Sequence, residues 1–308
     1  MILLQQQDES NRKPIVASIG FFDGVHAGHR YLISQIKEIA GEKGLASAVI
    51  TFPVHPRKVL QADYQPALLC GYEERIERLA STGVDYCIPL DFTIEMSRLS
   101  ARDFIHQVLK QMYNVDTLVI GYDHRFGYNR EDGFEEYVQY GKEVGMNVVQ
   151  AKQYPDEYVS SSFIRTLLKE GNIEKAAKLL TYNYTICGKI IKGFQVGRTI
   201  GFPTANVESW ERYKVIPAFG VYAVHVYTIG QKLDGMLYIG TRPTVDNGQN
   251  ISVEVNIFDF DGDLYNKDLT VEFLEFVRPD IKFGGLDELR AQLFRDKEEV
   301  RKRLDAYH

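Results

Sequence analysis

The stretch from Gly188 to Asn206, GKIIKGFQVGRTIGFPTAN, sets glycines at 188, 193, 197 and 201 among basic residues and ends in Pro-Thr-Ala-Asn. Glycines let a backbone approach a ligand closely and offer bare N–H groups to phosphate oxygens. On an extended strand, Thr204 and Asn206 point the same way. Together they present two hard oxygens of the kind magnesium takes. The segment reads as a phosphate-and-metal site built on Gly193, Gly197, Gly201, Thr204 and Asn206; the plainer alternative is a β-turn with an Asx motif. It is not a Walker A loop, because GxxxxGKS/T does not occur in the chain.

A second constellation follows the first apolar run, in GFFDGVHAGH (20–29). Gly20, Phe22, Asp23 and Gly24 form a loop that feeds a helix, and a helix N-terminus attracts anions. His26 and His29, three apart, can both donate to a bound phosphate. As a zinc site the pair lacks a third ligand, and neither HExxH nor GxGxxG is present. Further on, Ser160, Ser161 and Ser162 precede Arg165 at the start of a helical pattern. This arrangement suits a triphosphate, although serines there also cap helices. Asp123 and Arg125 close another apolar run, where ligand contacts or a surface ion pair would fall. The carboxylates of DFDGD (259–263) alternate as in a calcium loop, but the glycine is misplaced and the flanks are strand-like, so the segment reads as a turn.

These residues need a frame. Strand-like runs at 14–20, 46–52, 85–90, 115–121 and 147–151 alternate with helical spacing at 31–43, 72–82, 101–112 and 133–145. That rhythm predicts a parallel sheet covered on both faces, with ligands at the carboxyl ends of its strands. Two short helices, 161–169 and 173–180, come next. Beyond about 184 the runs YTICGKII, GVYAVHVYTI, LDGMLYIG, ISVEVNIFDF and LTVEFLEFV predict a small all-β barrel or sandwich. Leu286, Leu289, Leu293, Val300 and Leu304 predict an amphipathic helix that covers it. The chain of 308 residues suits two domains, 1–182 and 183–308. A net charge of −6 speaks against nucleic acid as a partner. Cys70, Cys87 and Cys187 form no CxxC pair and read as reduced thiols. The N-terminus lacks a signal-peptide pattern, no run reaches a membrane span, and the expected location is the cytoplasm.

GFFDGVHAGH contains the HxGH signature and resembles the nucleotidyltransferase superfamily. ITFPVHPRKVL (50–60), IGYDHRFG (120–127) and VSSSFIRTLLKEGNIEKAAKLL (159–180) resemble successive blocks of an FMN adenylyltransferase module. The 188–206 segment, YIGTRPTV (238–245), VEVNIFDFDGDLYNKDLTVEFLEFVRP (253–279) and the last helix resemble a riboflavin kinase module. Their order is that of the prokaryotic bifunctional riboflavin kinase/FAD synthetase family. The resemblance implies a Rossmann-like nucleotidyltransferase domain followed by a Greek-key barrel. It implies riboflavin, FMN, FAD and ATP as small-molecule partners, with Mg²⁺ as cofactor and no membrane. It makes Glu254 the base that activates an alcohol, and His26, His29 and Arg165 the groups that stabilise a transferring phosphate. It assigns the flavin to His55, Pro56, Arg57, Arg278 and Phe283. Phe21, His124 and Tyr238 depart from the residues the family often has. A single surviving activity, a flavin sensor, and an adenylyltransferase for another phosphate are the rival readings; the polar residues of both modules and the presence of the β module disfavour them.

Overall fold

The computed structural model describes residues 1–4, 13–122, 124–155, 158–191, 201–209, 212–242 and 250–307. Asp123, Gly193 and Gly197 lie outside the described residues. The chain forms two compact units, Met1–Ser161 and Ser162–His308.

In the first unit six strands form one sheet: β1 (Ile2–Leu3), β2 (Ile15–Ile19), β3 (Ala46–Thr51), β4 (Tyr86–Pro89), β5 (Val115–Ile120) and β6 (Asn147–Gln150). Their order is β1-β4-β3-β2-β5-β6, and every neighbouring pair is parallel. All five residues of β2 are buried, as a strand covered on both faces requires. Ile15, Ala17 and Ile19 face one core and Val16 the other, following the two-residue strand period. From β2 the chain builds outward through β3 and β4, then crosses to β5 and β6 on the other side. The order therefore reverses between β2 and β5, where parallel sheets open a crevice for ligands.

Helix α1 (Ala27–Lys43) buries Ile33 and Ile36 against this sheet and ends at Gly44, whose φ of 64° is left-handed. Truncating either isoleucine to Ala would cost about 2–5 kcal/mol. The helix starts four residues before the helical pattern at Tyr31, because its first turn, Ala27-Gly28-His29-Arg30, carries no apolar period. Next come α2 (Pro56–Leu60), α3 (Tyr72–Ala80), α4 (Ile94–Ser97), α5 (Ala101–Asp103) and α6 (Phe134–Glu143). The helix predicted over 101–112 is α-helical only in α5 and continues as a π-helix, Phe104–Met112. At its end the Tyr113 N–H reaches back to the Val108 carbonyl.

The second unit holds most of α7 (Ser161–Lys169), all of α8 (Ile173–Leu180), and a closed antiparallel barrel. The two helices pack with the barrel: the Ala218 N–H donates to the Leu168 carbonyl, and Gly171 lies under the Phe276 ring. The compact units thus divide earlier in the chain than residue 182. The barrel strands are β7 (Thr185–Ile191), β8 (Ala205–Ser209), β9 (Gly220–Thr228), β10 (Gln231–Arg242), β11 (Asn250–Ile257) and β12 (Asp268–Pro279), closed in the order β10-β11-β8-β7-β12-β9.

The last helix, α9 (Leu286–Leu304), seats Val300 and Leu304 on Val221, Ala223, Met236 and Leu274. The predicted leucine stripe is corrected at its start: Leu286 is 58% exposed, and Asp296 is buried instead. A carboxylate is tolerated there because it pairs with Arg278 of β12.

Candidate active sites

The first site is built at the carboxyl ends of β2, β3 and β5. After β2 the backbone turns through left-handed conformations at Phe22 (φ 54°), Gly24 (φ 76°) and Val25 (φ 40°). For Phe22 and Val25 this costs on the order of 1–3 kcal/mol each, so the loop has to be held. Asp23 holds it. Its buried carboxylate accepts the N–H groups of Leu69, at 2.9 and 3.1 Å, and Cys70, at 3.3 Å. The Asp23 carbonyl accepts the Ser161 hydroxyl at 3.0 Å, and the Gly24 N–H points to the Cys70 sulfur at 3.1 Å. The Asp23 side chain, expected from the sequence as a phosphate contact, is occupied here as a latch that ties the loop to Leu69 and Cys70. Burial pushes the thiols up to about 12 at Cys70 and about 11 at Cys87, so both stay protonated.

His26 caps α1. Its Nδ1 accepts the His29 N–H at 3.4 Å, and the two imidazoles stack with centroids 3.7 Å apart and planes 17° apart. The Nδ1 of His29 is buried and has no hydrogen-bond partner among the described residues. Desolvation, then the imidazoles of His26 and His124, hold His29 well below the usual histidine range. At neutral pH His29 is therefore an uncharged donor beside the positive end of a helix. His124 follows β5 and is itself pushed down to about 4, by burial and then by Arg130. Three imidazoles thus converge where the strand order reverses. The sequence marked His124 only as a departure, because nothing in its spacing links it to His29.

His55 caps the short α2 by accepting the Arg57 N–H at 3.1 Å, with Pro56 at the first helical position. Its ring meets the edge of Phe21 at 4.7 Å, so the segment after β3 lies against the end of β2. Arg57 and Arg125 are exposed, and Gly20 is half-buried. Along α7, Arg165 Nη1 reaches the Ser162 hydroxyl at 3.5 Å.

The second site crosses three barrel strands. Tyr238 of β10 pairs in register with Glu254 of β11, and Glu254 pairs with Asn206 of β8. One Glu254 oxygen accepts the Thr204 hydroxyl at 3.1 Å and the other accepts the Ser252 hydroxyl at 2.8 Å. The hydroxyl, amide and carboxylate oxygens gathered here are all hard donors, a set that fits Mg²⁺. Asn256 donates to the Pro203 carbonyl at 2.7 Å and so fixes the Pro-Thr-Ala-Asn turn. Beside it opens a cleft of about 1010 Å³ lined by Ile190, Pro203, Thr204, Val255, Phe260 and Tyr265, among others. Gly201, at φ 80°, is exposed. Ser252 and Asn256 were missed in the sequence, where each is one polar residue on an alternating strand.

Tyr238 folds over Gly240, where a Cβ would overlap the phenol oxygen. That hydroxyl donates to Asp280 at 3.0 Å, and burial followed by the Asp280 and Glu254 charges pushes it up to about 12. Arg278 grips Asp296 through Nε at 2.9 Å and Nη2 at 2.6 Å, with its guanidinium carbon 6.0 Å from the Phe283 ring. In DFDGD, Asp259 pairs with Arg301 and Asp263 accepts the Tyr265 N–H, consistent with a turn. Among the described residues no three His, Cys, Asp or Glu side chains are grouped to hold a metal ion.

These features define a two-module protein, an α/β unit with stacked imidazoles at a helix N-terminus followed by a barrel with a held carboxylate. Residues 8–163 match the FAD synthetase family model and residues 180–304 the riboflavin kinase model. The chain is 38% identical over 288 residues to a bifunctional riboflavin kinase/FMN adenylyltransferase of Listeria monocytogenes, covering 93% of this chain and 91% of that one. To the Bacillus subtilis protein of the same description it is 37% identical over 307 residues, covering 95% and 93%. A crystal structure from Streptococcus pneumoniae, described as a macrolide-efflux protein, superposes with a TM-score of 0.87 at 33% identity, covering 98% of this chain and 99% of that one. Among the described residues of this chain no helix is long and apolar enough to cross a membrane. The chain belongs to the bifunctional riboflavin kinase/FMN adenylyltransferase family.

Proposed function

We propose that this chain makes both flavin coenzymes, with functional modules 1–182 and 183–308. Riboflavin and ATP give FMN and ADP in the barrel; FMN and ATP give FAD and pyrophosphate in the α/β module. The observation that supports this reading is that each compact unit carries its own cluster of polar groups suited to phosphate chemistry. Stacked imidazoles cap a helix in one, and a doubly held carboxylate faces hard oxygens in the other.

In the barrel the nucleophile is the 5′-hydroxyl of riboflavin, a poor one until its proton is taken. Glu254 takes that proton as the oxygen–γ-phosphorus bond forms and the bond to ADP breaks. Thr204 and Asn206 hold Mg²⁺, which neutralises phosphate charge when bound. Gly193, Gly197 and Gly201 contribute backbone N–H groups to the ATP phosphates. Arg278 and Phe283 lie on the flavin side.

In the α/β module the nucleophile is the FMN phosphate, already anionic at pH 7, so no strong base is needed. It attacks the α-phosphorus of ATP, and pyrophosphate leaves. His26 and His29 donate to the oxygens that gain charge, and the N-terminus of α1 supports them. Gly20, Phe22 and Gly24 shape the loop around the phosphates; Asp123, Arg125, Ser161, Ser162 and Arg165 complete the nucleotide contacts. His55, Pro56 and Arg57 receive the flavin. Both reactions draw on the ATP of the cytoplasm.

The purified chain, given riboflavin, ATP and Mg²⁺, is expected to form FMN first and FAD after it, resolved by chromatography. Unchanged riboflavin that is nonetheless tightly bound would sink the reading in favour of a flavin-binding sensor.

A further inference from the structure

The end of β3 is held by a charge inside the protein. Arg75, on α3, is 1% exposed. Its Nη2 donates to the Phe52 carbonyl at 2.6 Å and reaches the Pro53 carbonyl at 3.5 Å. The guanidinium carbon lies 4.0 Å from the centroid of the Phe21 ring. The Phe21 ring in turn meets His55 at 4.7 Å, His55 lies 5.4 Å from Tyr64, and the Arg57 guanidinium covers Tyr64 at 5.9 Å. One side chain therefore fixes the carbonyls that lead into the His55–Arg57 segment and backs the ring on which His55 rests.

This arrangement is costly. Arg75 makes no ion pair within the described residues, and its Nε–H has no acceptor. Desolvation lowers its affinity for a proton, opposed among other neighbours by Asp23, which it does not touch. Burying a guanidinium with one donor unmet and no direct counter-charge is unfavourable, and an apolar side chain would fill the space more cheaply. What an apolar side chain lacks is the planar fork, which spans two carbonyls while its face stacks on an aromatic ring.

We propose that Arg75 is a positioning residue for FMN: it holds the His55–Arg57 segment in the conformation that receives the flavin phosphate. The inference rests on the reading of that segment as the flavin contact. Arg75 itself touches no substrate.

The test uses the full chain as wild type, Arg75→Lys, Arg75→Met and Phe21→Leu. FAD formation is measured with FMN and ATP varied separately, and riboflavin phosphorylation is measured on the same preparations. Arg75→Met is expected to raise the KM for FMN about tenfold, the worth of one charge-assisted hydrogen bond. The KM for ATP and both kinase constants stay within about twofold. Arg75→Lys recovers part of the loss, and Phe21→Leu raises the FMN KM less, because the carbonyl clamp remains. An unchanged FMN KM in Arg75→Met, or equal losses toward FMN and ATP, overturns the proposal. Should Arg75→Met fail to fold its module, seen as lost FAD formation beside intact kinase activity, Arg75→Lys and Phe21→Leu decide by the same KM. A wild type that makes no FAD from FMN refutes the reading of the module itself, an outcome distinct from unaltered variants of an active enzyme.

Discussion

The Thr204 hydroxyl donates to Glu254 Oε2 at 3.1 Å, across fifty positions of sequence. A hydroxyl has one proton and two lone pairs. Giving the proton to the carboxylate leaves the lone pairs for a cation, so Thr204 can orient the base and hold magnesium at once. Ser252 pins the other carboxylate oxygen at 2.8 Å. The two contacts fix the plane of the carboxylate proposed as the base.

Glu254→Gln preserves shape and removes the proton acceptor. Riboflavin phosphorylation is expected to fall by about 10²–10⁴-fold, the usual worth of a general base. FAD formation from FMN should persist in the same preparation, because it uses the other module. Intact kinase activity in this variant would remove Glu254 from the mechanism.

Thr204→Val keeps the volume and deletes the hydroxyl. The Mg²⁺ concentration for half-maximal kinase rate should rise about tenfold. The Mg²⁺ dependence of FAD formation should not move. A kinase rate that falls at every Mg²⁺ concentration, with its midpoint fixed, would make Thr204 a positioning residue for Glu254 alone.

His29 and His124 tie stability to pH. Both have folded-state pKa values below the unfolded value, so below pH about 6.5 the unfolded chain binds protons that the folded chain does not. Their contribution is fully present above pH 6.5 and is lost as pH falls. For His124, held at about 4, the loss reaches about 3 kcal/mol by pH 4. Thermal unfolding of wild type and His124→Phe between pH 7.5 and 4.5 should show the wild type losing more. Parallel curves would mean that His124 is solvated.

How much of this was legible depended on whether a residue's role was local. β2, β3, β4, β5 and β6 emerged within a residue or two at each end; for β2, β3, β4 and β5 this is because buried parallel strands are written as continuous apolar runs. The histidine pair was legible from its spacing at a helix start. The Asp23 latch was not, since its partners Leu69 and Cys70 stand 46 and 47 positions away. Ser252 was hidden by strand alternation, which does not say which polar residue touches the base. The π-helical geometry of Phe104–Met112 leaves the same apolar spacing as an α-helix. Asp296 broke the leucine stripe of α9 because its counter-charge sits on another element.

Asp23→Ala leaves the Leu69 and Cys70 N–H groups buried without an acceptor. Each such group costs about 1–3 kcal/mol. The α/β module should unfold several degrees earlier, read as FAD-forming activity lost on heating while kinase activity survives as in wild type. Asp23→Asn, which retains one acceptor oxygen, should fall between. Unchanged stability with a raised KM for ATP would make Asp23 a nucleotide contact and not a latch.

Asp296→Asn tests whether Arg278 serves the flavin or only the fold. The carboxylate is 3% exposed and takes both ends of the guanidinium fork, so breaking the pair should destabilise the barrel by about 3–5 kcal/mol. The same guanidinium carbon lies 6.0 Å from the Phe283 ring, so freeing it also loosens that stack. Riboflavin KM should therefore rise in Asp296→Asn, and it should rise in Phe283→Leu without the loss of stability. An Asp296→Asn enzyme that melts early yet keeps its riboflavin KM would confine Arg278 to joining β12 to α9. The flavin would then be held by other residues.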